Sequence, residues 1–387
     1  MISITYNCKD MNKLTNPFII SRSIPNHLFC DRKEETSFLV KQVENGRNVV
    51  IVSPRRMGKT QLIYHFFEQP EIKDNFQTFF VDIYSATSLQ EMCYLFGKTV
   101  FEKLKPKKQQ NWERFFQTLK SLRTAFKIDP ISGEPALELG LGTITNPETT
   151  LEEIFSYLEA AQKPCIVAFD EFQQITEFGD KRVEALLRGM IQKCTNTSFI
   201  FCGSKRHTIS QMFHSKARPF YQSAQLMDLP PLKESAYTEF ATQLFADYGK
   251  ELQSEVVTRI YNDYDGTTWY LQMLMNELFA MTGENERCTL DAIPQATRNI
   301  LEVQDGAYRT QLSMISTKQK GVMQAIAQEG FVKSPTSMAF VKSHSLDSAS
   351  SVQSALRALL DTDVVTHDEK GYHLSDFFFA QWLRVAF

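Results

Sequence analysis

Three consecutive residues, Gly58, Lys59 and Thr60, place a permissive backbone, a cation and a hydroxyl at the start of a helical pattern. They follow the β-branched run Val49–Val52 across a short turn. Backbone N–H groups at a helix N-terminus can hold the charge of a nucleoside triphosphate, while a lysine reaches its β- and γ-phosphates and a hydroxyl holds Mg²⁺. The stretch is therefore typical of a phosphate-binding loop. Its other candidate binding residues are Pro54, Arg55, Arg56, Met57 and Gln61.

One position departs from the pattern G-x-x-x-x-G-K-[ST], because Ser53 occupies the place of the first glycine. A serine there requires a different entry to the loop, which Pro54 stiffens. The alternative interpretation is a chance Gly-Lys-Thr at the start of a helix.

A second motif lies about 110 residues further on, where the apolar run Cys165–Phe169 ends in Asp170 and Glu171. Such a run predicts a buried parallel strand, and neighbouring residues of a strand point to opposite faces. We expect Asp170 to hold Mg²⁺ and Glu171 to polarise the attacking water. Apolar strands that end in acidic residues also occur without a function, so the assignment depends on the phosphate-binding loop.

A third group of polar residues lies at the carboxyl end of the predicted strand Ser198–Ser204. Ser204 lies at its carboxyl end, where ligands bind in α/β sheets, and can sense the γ-phosphate or the attacking water. A turn formed by Gly203 and Ser204 is the equal alternative. Lys205 and Arg206 add positive charge at the same edge.

An aromatic and a basic residue, Phe29 and Arg32, precede the loop at the start of a predicted helix that ends near Gly46. They can contact an adenine base. Capping of the helix by Asp31 together with core packing explains the same residues equally well.

The chain divides into three predicted domains: an α/β domain over residues 1–232, a helical lid over 233–307 without strand signals, and a domain over 308–387. The last has three helices, a hairpin and a closing helix, which is typical of a winged helix. From residue 308 on there are eight Lys or Arg and seven Asp or Glu, and the predicted recognition helix, Ser348–Asp361, carries only Arg357. DNA binding needs more cations. A protein partner or intramolecular packing is therefore favoured over DNA.

Composition is that of a soluble globular protein, with 387 residues, 43% hydrophobic residues and a net charge of −3. Such a charge gives no global signal for nucleic-acid binding. The seven cysteines form no C-x-x-C pair, which indicates neither a disulfide framework nor a zinc site. With no signal peptide or membrane-spanning pattern, the sequence predicts a cytoplasmic protein without a membrane partner.

Taken together, these residues resemble the archaeal-type, AAA-like ATPases of the signal-transduction (STAND) class of P-loop NTPases, and the chain is identified as a bacterial member. The resemblance covers nearly the whole chain. It rests on Asn16-Pro17-Phe18, Phe29 to Glu34, Ser53 to Thr60, Phe169 to Gln173, Phe201 to Ser204, Pro219-Phe220-Tyr221 and Leu229 to Leu232.

This resemblance implies an α/β fold: a P-loop NTPase parallel sheet of order 5-1-4-3-2 sandwiched by helices, a helical lid and a C-terminal winged helix. It implies ATP and Mg²⁺ between sheet and lid, with Phe29 and Arg32 on the adenine side. Gln222 and Ser223 stand where the family has Gly-Arg, so Arg218 is the nearest arginine.

The function that follows is a slow ATPase acting as a nucleotide-dependent switch. Lys59 neutralises phosphate charge, Thr60 and Asp170 hold Mg²⁺, and Glu171 orients the water. Two alternatives remain: a winged-helix DNA regulator or loader gated by ATP, and a scaffold that holds ATP or ADP without significant hydrolysis.

Overall fold

The computed structural model describes residues 15–20, 24–104, 126–128, 135–137 and 144–386. The chain forms two compact units. The first contains residues 19–240 and 266–270, and the second contains residues 1–18, 241–265 and 271–387.

The described part of the first unit contains both strands and helices. The strands are β1 (Val49–Val52), β2 (Gln77–Asp82), β3 (Phe126–Ile128), β4 (Pro135–Leu137), β5 (Cys165–Asp170), β6 (Thr197–Gly203) and β7 (Gln225–Asp228). The helices are α1 (Lys33–Glu44), α2 (Lys59–Phe67), α3 (Pro70–Lys73), α4 (Leu89–Leu104), α5 (Pro147–Glu159), α6 (Val183–Lys193), α7 (Arg206–His214) and α8 (Glu234–Asp247).

Five of these strands form one parallel sheet in the order β2-β5-β6-β1-β7. Numbered along the chain, the sheet strands are therefore ordered 5-1-4-3-2, which confirms the predicted topology. The strands β1, β5 and β6 are buried along their whole length, because helices cover both faces of the sheet. Strands β3 and β4 pair separately as an antiparallel hairpin.

Two hydrophobic clusters divide the core at the plane of the sheet. On one face, α1, α2 and α3 pack on alternate residues of β1, β5 and β6. On the other face, the remaining alternate residues meet α4, α5, α6 and α7. This second cluster holds the largest buried aromatic group, in which Phe172 lies 4.6 Å from Phe201 and 5.2 Å from Phe220, measured between ring centroids. The turn after β5 is thereby anchored to the sheet.

The second unit is mainly helical and ends in the winged helix. Its further strands are β8 (Glu251–Leu252), β9 (Arg287–Cys288), β10 (Val365–Asp368) and β11 (Gly371–Leu374). Its further helices are α9 (Ser254–Asp263), α10 (Thr268–Met281), α11 (Ile293–Ser313), α12 (Thr317–Glu329), α13 (Met338–Ser343), α14 (Ala349–Asp361) and α15 (Phe377–Ala386). Helix α10 begins in the first unit. Helices α12, α13 and α14, followed by the β10–β11 hairpin and α15, confirm the predicted winged helix.

Two local predictions are wrong. Asp31 does not cap α1, since the helix begins at Lys33 after Arg32, which has a left-handed backbone (φ +64°) and takes the N-cap position without a side-chain cap. The predicted lid region also contains a strand pair, because β8 and β9 join in parallel over two residues each. Such short strands leave no periodic pattern in a sequence.

Helix α11 runs through residues 307 and 308, so no loop marks the predicted boundary between lid and winged helix. The three-domain division stays a prediction. Among the described helices, none combines the length and the apolar character that crossing a membrane requires.

Candidate functional site

The loop after β1 begins in the core and ends at the N-terminus of α2. Ser53 is buried, with 1% of its surface exposed. Gly58 has a left-handed backbone (φ +88°) and precedes the first residue of α2. A glycine suits this position because residues with a Cβ are disfavoured at positive φ. The turn directs the first N–H groups of α2 toward the carboxyl end of the sheet.

The ammonium of Lys59 lies inside this loop. Its Nζ donates to the carbonyl oxygens of Ser53 (3.2 Å) and Pro54 (2.9 Å) and to Ser53 Oγ (3.2 Å). Burial lowers the pKa of Lys59, although the nearby carboxylates Glu171 and Asp170 oppose that shift. The loop therefore holds a partly desolvated cation that an anion would stabilise.

Thr60 and Asp170 meet at the same edge of the sheet. Thr60 Oγ1 donates to Asp170 Oδ2 at 2.8 Å, and the Glu171 N–H donates to Asp170 Oδ1 at 3.0 Å. Burial raises the pKa of Asp170, the Thr60 hydrogen bond opposes the shift, and the Glu171 charge adds to it. A hydroxyl beside a buried carboxylate is a set of oxygen donors that suits Mg²⁺.

Glu171 lies beside Ser204, which follows the neighbouring strand β6. Ser204 donates to Glu171 Oε2 through both Oγ (2.7 Å) and its N–H (3.2 Å). Arg55 Nε donates to Ser204 Oγ at 3.1 Å. The Gln173 amide also donates to Glu171 Oε2, at 2.5 Å. One carboxylate oxygen therefore accepts from the ends of two adjacent parallel strands.

The residues predicted for the adenine side, Phe29 and Arg32, lie just before α1, and the predicted binding residue Gln61 lies on α2. Phe29 stacks on His65 of α2, with ring centroids 4.1 Å apart and planes 11° from parallel. Arg32 is 4% exposed and donates to Glu35 Oε1 (2.7 Å) and to the Met57 carbonyl (3.5 Å). Gln61 accepts a hydrogen bond from the Ile24 N–H at 3.1 Å.

Arg56 joins the loop to the start of α10. Its guanidinium lies 4.3 Å from the centre of the Trp269 ring and donates to the Tyr270 hydroxyl. The Trp269 N–H donates to the Arg56 carbonyl at 3.1 Å, and Thr268 Oγ1 lies 3.5 Å from the Met57 carbonyl. Arg56 has a left-handed backbone (φ +68°), which turns its carbonyl toward α10. Four contacts from residues 268–270 hold the middle of the loop between β1 and α2.

Residues 29–274 match a protein family described as an ATPase domain predominantly from Archaea. The match spans well over half of the chain. The chain belongs to this ATPase family. A probable winged helix domain matches residues 306–385.

Solved structures of similar fold match almost the whole length of this chain. A Walker-type ATPase of Pyrococcus abyssi has a TM-score of 0.61 and 18% identity, covering 95% of this chain and 99% of that one. The ORC2 protein of Aeropyrum pernix, solved with ADPNP and ADP, has a TM-score of 0.57 and 12% identity over 96% and 98%. The ORC1 protein of A. pernix in complex with DNA has a TM-score of 0.50 and 11% identity over 92% and 93%. No curated protein matches the sequence significantly.

Among the predicted catalytic and metal-binding residues, hydrogen bonds link Thr60, Asp170, Glu171 and Ser204 in this ATPase. The hydrogen bonds of Lys59 go to its own loop instead. Arg218 is held elsewhere: its guanidinium pairs with Glu184 of α6. Neither Gln173 nor Trp269 is among the site residues predicted from the sequence. Gln173 carries a signal in retrospect, since a buried amide two residues after Glu171 is close enough to contact it. Trp269 lies more than 200 residues from the loop along the chain, and no sequence signal connects the two.

Proposed function

We propose that the chain binds ATP and Mg²⁺ and hydrolyses ATP slowly to ADP and phosphate, acting as a nucleotide-dependent switch of the STAND class. The observation that carries this proposal is the 2.8 Å hydrogen bond between Thr60 and Asp170 beside the buried Lys59 ammonium. A hydroxyl, a carboxylate and a cation at one sheet edge match the requirements of a metal-bound triphosphate.

Lys59 is proposed to neutralise charge on the β- and γ-phosphates. Its three hydrogen bonds go to uncharged oxygens of its own loop. Negatively charged phosphate oxygens can replace all three as acceptors. Gly58, Met57, Arg55 and Pro54 complete the loop. The negative charge of a bound phosphate then offsets the desolvation that lowers the pKa of Lys59.

Thr60 and Asp170 would hold Mg²⁺, which supplies charge neutralisation for the phosphate oxygens when bound. Their oxygens already converge, and the pKa of Asp170 is raised by burial, so a cation near this carboxylate would be favourable.

Glu171 is proposed to orient the hydrolytic water and accept its proton, with Ser204 fixing the carboxylate. Phe29 and Arg32 are proposed to contact the adenine, and Gln61 is proposed to bind the nucleotide at the start of α2. The Phe29 ring supports this role, because it forms a flat stack with His65 beside the helix that follows the loop.

The contacts of Arg56 support the proposed switch role. Trp269 and Tyr270 contact the loop directly. A change of loop conformation on hydrolysis therefore changes the contacts of the first turn of α10. Ser53 at the position of the first loop glycine supports slow turnover. A protein partner contacted through the winged helix, a cytoplasmic location and a bacterial origin stay predictions.

DNA binding gated by ATP is the second candidate, favoured by the match to a winged helix domain and by a neighbour of similar fold solved with DNA. Charge argues against it. Helix α14 presents only one cation, the exposed Arg357, and the tip of the hairpin exposes Asp368 and Glu369 with Lys370. DNA affinity that falls steeply with salt and changes with nucleotide would favour this candidate.

Single-turnover ATP hydrolysis tests the proposal, with wild type compared with Glu171→Gln and Lys59→Ala and nucleotide binding measured for all three. We expect Glu171→Gln to bind ATP and to lose roughly 10²-fold or more in rate, as for a missing general base. Lys59→Ala should bind weakly. If all three are equally inert while wild type still binds nucleotide, the chain is a nucleotide-holding scaffold.

A further inference from the structure

Gln173 makes a direct contact with Glu171 that no role assigned so far explains. It lies on the short 3₁₀ turn Phe172–Glu177, directly after β5, and its side chain is buried. Its Nε2 donates to Glu171 Oε2 at 2.5 Å. Ser204 donates twice to the same oxygen, so three donors converge on Oε2. Among the described residues, none donates to Glu171 Oε1.

The orientation of the Gln173 amide is fixed by its surroundings. With Nε2 on the carboxylate, Oε1 is buried and has no hydrogen-bond partner among the described residues. The opposite orientation would place an amide oxygen against a carboxylate oxygen, which is repulsive. A buried acceptor without a donor is unfavourable. The amide therefore keeps its contact with Glu171 while its own Oε1 stays without a donor.

Gly203, the last residue of β6, makes room for this amide. A Cβ at Gly203 would lie 2.0 Å from Gln173 Oε1 and 3.1 Å from its Cδ. Phe172 fixes the turn from the other side, because its fully buried ring packs on Phe201 and Phe220. The amide therefore has one available position, and that position lies against Glu171.

We infer that Gln173 is a positioning residue for ATP hydrolysis: with Ser204 it fixes one oxygen of Glu171 and leaves the other for the water. This inference rests on the proposed function. Glu171 needs the support because its backbone is left-handed (φ +54°), which places its side chain on an irregular turn instead of a regular strand. A carboxylate held through one oxygen by two elements keeps a constant orientation.

The test compares Gln173→Met, which keeps length and loses the donor, with Gln173→Glu, which places a second acceptor beside Glu171. Single-turnover rate and half-saturating ATP concentration are measured for each. We expect Gln173→Met to be about 10-fold slower, on the scale of one hydrogen bond to a charged group, and Gln173→Glu to be slower still. The half-saturating ATP concentration should change by less than about 2-fold, because Gln173 acts on rate and not on binding.

Gln174→Met is the matched control. The Gln174 side-chain amide donates to the Ala86 carbonyl at 3.1 Å and makes no described contact with the Glu171 side chain. The Gln174 backbone N–H donates to the Glu171 carbonyl at 2.9 Å, and the substitution keeps that bond. We expect this variant to hydrolyse ATP at the wild-type rate. Gly203→Ala is an independent perturbation that displaces the amide while keeping Gln173, and it should slow hydrolysis by a factor similar to that of Gln173→Met.

Four outcomes would overturn the inference. Two concern the single-turnover rate of Gln173→Met, which would equal that of wild type or exceed it. The third is an equal loss of rate in Gln174→Met, and the fourth is a loss in Gln173→Met that weaker ATP binding explains entirely. In each case Glu171→Gln still stalls, so the proposed function survives alone. A wild-type chain that binds ATP and never hydrolyses it would refute both.

Discussion

Replacing Asp170 by Asn should stabilise the nucleotide-free protein and remove its response to Mg²⁺-ATP. Asp170 is 8% exposed, and its two oxygens accept from Thr60 Oγ1 and from the Glu171 N–H. Asn has the same size. Its oxygen can accept from the Glu171 N–H while its NH₂ group donates to Thr60 Oγ1, so both contacts persist without the charge.

The sign follows from the pKa of Asp170, which is raised above 3.8 mainly by burial. A carboxyl with a higher pKa in the folded than in the unfolded state favours folding below its unfolded pKa, and this benefit is lost as pH rises through the folded pKa. At neutral pH the ionised group is therefore a net cost. Removing it should raise the free energy of unfolding by about 1 kcal/mol, which corresponds to about 2–4 °C for a domain of this size. The gain should disappear as pH falls toward 3.8.

Mg²⁺-ATP should reverse the order of stability of wild type and Asp170→Asn. A ligand at about 100 times its dissociation constant stabilises the folded state by about 2.7 kcal/mol, and the variant lacks one proposed metal ligand. Thermal unfolding with and without Mg²⁺-ATP therefore gives crossing results, with Asp170→Asn more stable alone and less stable with the ligand.

The control for this experiment is Asp82→Asn. Asp82 pairs in register with Asp170 across β2 and β5, so the variant removes a charge at the same edge without touching Thr60. It should leave the response to Mg²⁺-ATP intact. The reasoning is refuted if Asp170→Asn destabilises the free protein, or if Mg²⁺-ATP stabilises it as much as wild type.

Four further predictions concern the loop and the core. ATP affinity should fall as pH rises through the pKa of Lys59, which burial lowers from 10.5, and titrations of ATP binding across alkaline pH measure the midpoint. Gly58→Ala should cost about 1–2 kcal/mol from its left-handed backbone, although a Cβ there meets no atom within 4 Å, and urea unfolding measures the loss. Arg56→Lys should lose about 1 kcal/mol of contact with Trp269, detected by unfolding and by a change in tryptophan fluorescence. Phe172→Ala should cost about 3–5 kcal/mol, seen as a lower urea midpoint with an unchanged slope.

Much of the sheet could be predicted because each of its buried strands is a continuous apolar run. Val49–Val52 and Cys165–Asp170 are buried throughout, as a strand covered on both faces requires. The strand order could not be read from these runs, since any of them fits any position in a parallel sheet. It came from the resemblance to a family, and the pairing of β1 with β6 and β7 confirms it.

The contacts that fix the loop were beyond sequence reasoning for a different reason. A motif identifies residues that are close along the chain, whereas Arg56 is held by Trp269 and Tyr270 through long-range packing. Likewise, Glu171 and Ser204 belong to separate motifs, and only the pairing of β5 with β6 brings them into contact. Local rules also failed at Asp31, because a capping preference is weaker than the constraints on the segment before α1.

Unfavourable backbone conformations occur at the candidate site as well as at other described positions such as Gln222 and Ser345. Arg32, Arg56 and Glu171 all have positive φ without being glycine, and none has the short side chain that lets Asp and Asn adopt this backbone. Each is held by a contact made in the folded state: Arg32 by the Met57 carbonyl, Arg56 by the Trp269 ring, and Glu171 by Ser204. Glycine would remove the strain and the side chain together. The sequence instead retains three charged groups at unfavourable backbone positions, which is expected where their placement is needed for binding or catalysis and not for stability.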